Sequence, residues 1–180
     1  MSCILVRHTR LQGSEGLCYG HHELNVAETF PVEADAVAAA LGWTPEVIWT
    51  SPACRCVDLA KHLARGCPIR TDERLRELHF GEWEGRRWDE LNGPAVEEWM
   101  RDPWRARPPG GETAGELLAR VREARKRILD ASAAPLRTLV VTHGGVIRAW
   151  LALERGTSLA DQFNTPIPHG TVLRVGDHRA

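Results

Sequence analysis

The sequence predicts an α/β fold, a three-layer α/β/α sandwich around a mostly parallel sheet. Three observations predict it. Short apolar runs, ending at Val6, Thr50 and Thr142, each stop at polar or charged residues, as buried parallel strands do where they reach a site. The last two runs lead through a tight turn into a segment of helical apolar spacing. Strand and helix patterns then alternate along the chain, which calls for crossover helices on both faces of the sheet. At 180 residues, the chain fits one domain, residues 1–180.

The elements follow in order. Cys3 to Val6 is the first strand and ends at Arg7-His8. Val32 to Leu41 reads as a helix from its alanine content. Glu46 to Thr50 repeats the strand pattern, with Ser51 as N-cap and Pro52 at the first helical position of a helix striped by Val57, Leu59, Ala60 and Leu63. Leu75-Arg76-Glu77-Leu78 precedes a glycine-punctuated loop, Gly81 to Gly85, and Asp102 to Glu112 breaks every period and reads as a loop. Residues from about 79 to 112 are expected to form an insertion or lid over the site. Thr113-x-x-Glu116 is a capping box that opens a helix with Leu117, Val121, Ala124 and Ile128 on one face. Thr138 to Thr142, T-L-V-V-T, is the most β-like segment, and His143-Gly144-Gly145 follows it into an apolar helix through Leu153. Thr171 to Val175 supplies a last strand at an edge. In sheets of this kind ligands bind beyond the carboxyl ends of the strands.

Composition narrows the function. Formal net charge is −1, with 43% hydrophobic and 26% charged residues, so no global positive field points to nucleic acid or an anionic membrane. Any anion is captured locally. Only Lys61 and Lys126 are lysines among the 23 basic residues, and arginine is the side chain that grips phosphate oxygens bidentately. No run is long enough for a signal-peptide core or a membrane helix, so the expected location is cytoplasmic. Five cysteines, Cys3, Cys18, Cys54, Cys56 and Cys67, lack paired metal-finger spacing and read as reduced structural thiols.

Three strand ends thus deliver Arg7-His8, the Ser51-Pro52 turn with Arg55, and His143-Gly144-Gly145. The motifs V-R-H-T, T-S-P-x-x-R, L-R-E-L-x-x-G-x-W-E-G, P-x-G-G-E-T and V-V-T-H-G-G-V-I-R occur in that order and cover almost the whole chain. Together they resemble the histidine phosphatase (phosphoglycerate mutase-like) superfamily. The resemblance implies that His8 is the nucleophile, that Arg7, Arg55 and His143 bind the transferred phosphoryl group, and that Glu77 is the proton donor. Physical chemistry is consistent with each role. Preorganised arginines neutralise the non-bridging oxygens of a phosphomonoester without a metal or other cofactor. His8 has to attack as neutral imidazole, a form that nearby Arg⁺ charges favour. An alkoxide leaves poorly, so a carboxylic acid supplies a proton and afterwards takes one from the attacking water. Asp72, Glu82 and Glu84 lie close enough in sequence to compete with Glu77 for that task. Gly144 and Gly145 are expected to let the backbone of the following helix approach the phosphate.

The pattern departs from the superfamily's usual one at Thr9, where Gly is common, and no Asn follows before Asn25. R-H-T-R…G-L-C-Y-G resembles instead a short branch that includes α-ribazole phosphatases of cobalamin nucleotide-loop assembly. Thr9, Tyr19 and Gly20 are then the candidate substrate contacts, with Tyr19 either meeting a ribose or base or packing its loop. Trp83, Trp88, Trp99 and Trp104 fall in the expected roof and divide between that role and core packing. His22, His79 and His169 either approach the rim of the site or are scattered surface histidines, and the second reading is preferred for each. The expected partner is a small phosphate ester, and a homodimer is compatible with the chain. Competing readings are a phosphoglycerate mutase, a broad-specificity phosphomonoesterase, a silent phosphate-recognition module and a metallohydrolase, the last without H-E-x-x-H or clustered Asp/His spacing.

Overall fold

The structure is a computed structural model that describes residues 3–131, 137–162 and 164–176. Five strands form one sheet: β1 (Cys3–Arg7), β2 (Val47–Thr50), β3 (Ile69–Thr71), β4 (Thr138–Thr142) and β5 (Val172–Val175), in the order β3-β2-β4-β1-β5. The first four are parallel to their neighbours, and β5 runs antiparallel to β1 at the edge. Alternate residues of each strand face opposite layers. Cys3 and Leu5 of β1 join Trp49 and Val140 in a core under α4 (Ala114–Ala131) and α5 (Gly144–Arg155). Ile4 and Val6 join Ile48, Leu139 and Val141 in a second core under α1 (Phe30–Leu41) and α2 (Cys54–Ala64). These two cores and the sheet between them make the three layers.

The predicted capping box is present: Thr113 Oγ1 accepts from the Glu116 amide at 3.2 Å, and the Glu116 carboxylate accepts from the Thr113 amide at 2.8 Å. All four residues of the α4 stripe are buried. At α2 the expectation fails. Its N-cap is Ala53 and its first residue Cys54, so Pro52 lies outside the helix. The Ser51 hydroxyl still accepts from the Ala53 amide at 3.3 Å, but it also faces His143, which draws it to the site instead of the helix end. Between β3 and α4 the chain runs through 3₁₀ turns at Glu73–Leu75, Gly81–Trp83 and Trp88–Glu90 and the short helix α3 (Pro94–Arg101). A one-turn helix, α6 (Leu159–Gln162), follows α5. No helix among the described residues is long and apolar enough to cross a membrane.

Candidate active site

Strand register brings the two histidines together. β1 and β4 are parallel neighbours with Arg7 opposite Thr142, so the next residue of each, His8 and His143, emerges at the same edge. Their rings lie 5.3 Å apart. β2 flanks β4 on its other side, and Ser51, just beyond it, holds His143 Nε2 at 2.8 Å from its hydroxyl, with Cys56 Sγ 3.5 Å from the same nitrogen. Arg55, in the first turn of α2, is fully buried beside them.

The tautomer of His8 follows from its partner. Its Nδ1 lies 2.8 Å from the Thr9 carbonyl, which can only accept, so Nδ1 carries the hydrogen and Nε2 keeps a free lone pair. Burial and then the Arg55 charge hold its basicity well below that of an ordinary imidazole, with Arg7 and His169 adding to them and the Thr9 bond opposing. Burial, then Arg55, then His8 do the same for His143. Both imidazoles are therefore neutral at physiological pH.

The guanidiniums are held by backbone carbonyls and, at Arg7, by an imidazole as well. Arg7 donates through one terminal nitrogen to the Ile167 carbonyl and through the other to His169 Nε2 at 3.1 Å. Arg55 donates to the carbonyls of Gly20 at 2.6 Å and His22 at 3.1 Å, with the Glu23 carboxylate 3.7 Å away. Arg7 Nε, Arg55 Nε and the Thr9 hydroxyl are buried with no protein partner. Buried donors without partners are exceptional, and a bound oxyanion is the type of group that satisfies them.

Of the four carboxylates considered from sequence, Glu77 faces the cavity that Arg7 also lines. Its Oε1 accepts from the Leu78 amide at 2.9 Å and its Oε2 from the Gly145 amide at 3.0 Å. Asp72 is committed to Arg74 at 2.7 Å and Arg127 at 3.4 Å. Glu84 accepts from the amides of His21 and Phe80, each at 2.9 Å, and Glu82 is exposed. A Cβ on Gly145 would stand 2.2 Å from Glu77 Oε1, and one on Gly144 would meet Arg148 at 3.3 Å and Arg7 at 3.6 Å. The glycine pair thus makes room for protein side chains, a different use of its small size from the bare backbone approach expected from sequence.

Tyr19 stands over Arg55, 5.6 Å from its ring centroid to the guanidinium carbon, and its hydroxyl lies 3.2 Å from His169 Nε2. Gly20 cannot carry a side chain, since a Cβ there would fall 1.9 Å from the Leu78 carbonyl oxygen, and its own carbonyl serves Arg55. The cavity is about 290 Å³. Tyr19, Glu77, Gly145 and Arg148 line it together with apolar residues that include Phe80, Trp88 and Trp99. Trp83 instead packs with Cys18 and Leu91, and Trp104 lies exposed. Sequence reasoning missed Arg148 and read His169 as a surface residue. The structure corrects the second reading: no motif marks His169, and only the return of β5 alongside β1 carries it to within 5.2 Å of the His8 ring. His22 is exposed, and His79 stacks on His21 at 4.4 Å. Among the described residues, no group of three or more His, Cys, Asp or Glu side chains could hold a metal ion.

The model of the histidine phosphatase superfamily (branch 1) matches residues 3–179. A glucosyl-3-phosphoglycerate phosphatase of Mycolicibacterium vanbaalenii is 30% identical over 165 residues, covering 85% of this chain and 73% of that protein. The solved structure of Bacillus stearothermophilus YhfR is 28% identical with a TM-score of 0.85, covering 96% of this chain and 89% of the other. The α-ribazole phosphatase of Shigella flexneri shares the fold at a TM-score of 0.90 and 22% identity, over 99% and 92% of the two chains. With its matched span, its sheet order and its paired histidines, the chain belongs to the histidine phosphatase superfamily, a metal-independent class of phosphomonoesterases.

Proposed function

We propose that the chain hydrolyses phosphomonoesters through a phosphohistidine on His8, and that its substrate is α-ribazole 5′-phosphate. The observation that carries the chemistry is the His8 tautomer, a bare Nε2 on a neutral ring flanked by Arg7 and Arg55. In the first step Nε2 forms a bond to phosphorus as the P–O ester bond breaks, and Glu77 passes its proton to the leaving oxygen. In the second, water attacks phosphorus, the N–P bond breaks, and Glu77 takes the proton that water sheds. The ring hydrogen stays on Nδ1 against Thr9 throughout. Arg7 and Arg55 neutralise the charge of the transferred group, which neutral His143 hydrogen-bonds.

The substrate reading rests on the leaving-group side. A ribosyl benzimidazole presents a flat apolar base, and Phe80, Trp88 and Trp99, from the segment 79–112 that we propose roofs the site, give the cavity an aromatic lining. The likeness in fold to an α-ribazole phosphatase points the same way. Comparing kcat/KM on α-ribazole 5′-phosphate, 3-phosphoglycerate and simple sugar phosphates tests this reading. A clear preference for the first is expected, and equal rates on all three would assign a broad-specificity phosphatase. His8→Ala is expected to remain folded and lose turnover and the acid-labile phosphoryl label that wild type traps. An active substituted enzyme would remove His8 from the chemistry.

A further inference from the structure

The segment just ahead of β5 wraps one of the two guanidiniums. The Gly170 amide bonds the carbonyls of Arg7 at 3.2 Å and His8 at 3.1 Å, and Ile167 and His169 take the two terminal nitrogens of Arg7. A guanidinium has no acceptor, so the 3.1 Å bond fixes the state of His169: Nε2 accepts and Nδ1 holds the hydrogen. The Tyr19 hydroxyl reaches the same Nε2 at 3.2 Å, while the Tyr19 ring lies against Arg55. One imidazole nitrogen and one phenol thereby bridge two cations that would otherwise repel each other across the phosphate position.

We propose, resting on the phosphatase reading above, that His169 is a positioning residue: its neutral imidazole orients Arg7 toward the phosphoryl group and, through Tyr19, fixes the separation of Arg7 from Arg55. The groups that face His169 suit this role. Burial first and Arg7 next lower its pKa to about 4, Arg10 acts in the same sense and Glu33 opposes. The Tyr19 hydroxyl and the His8 ring, 5.2 Å away, complete its surroundings. Protonation would replace the acceptor by a donor facing Arg7 and break the bridge at its centre.

Orthovanadate is the probe that isolates the role, because it occupies the phosphoryl position without a leaving group. Its affinity and kcat/KM on p-nitrophenyl phosphate are measured for wild type, His169→Leu, His169→Gln, Tyr19→Phe and the Tyr19→Phe/His169→Leu pair. His169→Leu is expected to weaken both by about 10- to 100-fold, the scale of a misplaced catalytic group. His169→Gln, whose amide oxygen accepts from Arg7, is expected to stay within about 5-fold of wild type. Tyr19→Phe loses about 3-fold, the worth of one modest hydrogen bond, and the pair is no worse than His169→Leu alone, since both break one bridge. Unchanged affinity in His169→Leu, no rescue by Gln, or multiplying losses in the pair would overturn the proposal. If His169→Leu fails to fold, Tyr19→Phe, which removes one hydroxyl, decides alone: unchanged vanadate affinity overturns the bridge. A wild type that neither binds vanadate nor hydrolyses the aryl ester would sink the phosphatase reading itself, whereas a wild type that does both with an indifferent His169 sinks only this role.

Discussion

Glu77 reaches the cavity because position 145 has no side chain. Its two oxygens take the amides of Leu78 and Gly145, and the second bond brings the carboxylate to where a Cβ on residue 145 would stand, 2.2 Å from Oε1. Gly145→Ala should therefore displace Glu77, the proposed proton donor, while leaving α5 intact, since alanine is the better helix former. Alkyl phosphates, whose leaving oxygen needs the proton, are expected to lose about 100-fold in kcat/KM, within the range general acid catalysis supplies. p-Nitrophenyl phosphate, whose leaving group departs without help, is expected to lose less than about 10-fold. The ratio of the two rates is the measurement, and equal losses on both would place the proton donor elsewhere. His8, His143, Arg7, Arg55 and Glu77 stood out in the sequence because short motifs surround them. The reason for Gly145 did not, because the space a glycine provides belongs to tertiary structure.

At the scale of elements, the turn that carries Glu77 depends on one residue of α4. Arg120 donates to the carbonyls of Arg74 at 2.8 Å, Arg76 at 2.6 Å and Glu77 at 2.8 Å, and it pairs with Glu112, whose other bond holds the His79 amide. One guanidinium thus ties the 3₁₀ turn after β3 and the Gly110-Gly111-Glu112 loop to the same helix. Arg120→Ala removes the cation from Glu112 and one donor from each of three carbonyls, at an expected cost of about 2–4 kcal/mol. In urea unfolding the loss should appear, with Arg120→Lys recovering only part of it, because an ammonium cannot span all four acceptors. Alanine at wild-type stability would show that the turn stands without this clamp. Nothing in the sequence separates Arg120 from the exposed arginines around it in α4. β3 was hidden for a related reason: Ile69, Arg70 and Thr71 are all exposed at a sheet edge, so no apolar run marks them. β1, β2 and β4 were readable because both their faces are buried, and the capping box because its signal is local.

Over the whole molecule, the sheet places its chemistry where burial is deepest, and that placement carries a cost at low pH. His8 and His143 stand at the carboxyl ends of adjacent central strands, sealed from water and close to Arg55, so both stay neutral when folded. His169 behaves alike, with a pKa of about 4. An unfolded chain protonates the same rings near pH 6.5. Below that pH the unfolded state binds protons that the folded state refuses, and by linkage stability must fall as pH falls. The loss starts near 6.5 and continues until the folded rings titrate. Asp72 and Glu33 do not confuse the window from pH 6.5 to 5: against the opposing effect of burial, Arg74 holds Asp72 below the usual carboxylate range, and the Arg10 and Thr29 bonds do the same for Glu33. Each neutral histidine contributes at most about 1.4 kcal/mol per pH unit. Urea unfolding of the wild type at pH 7, 6 and 5 is therefore expected to show a slope steeper than one such group can supply. His143→Gln, whatever it does to stability at pH 7, should flatten that slope by up to about 1.4 kcal/mol per pH unit. A wild-type stability independent of pH across this range would mean that the rings accept protons as readily in the folded state as in the unfolded one, so that burial and Arg55 do not hold them neutral.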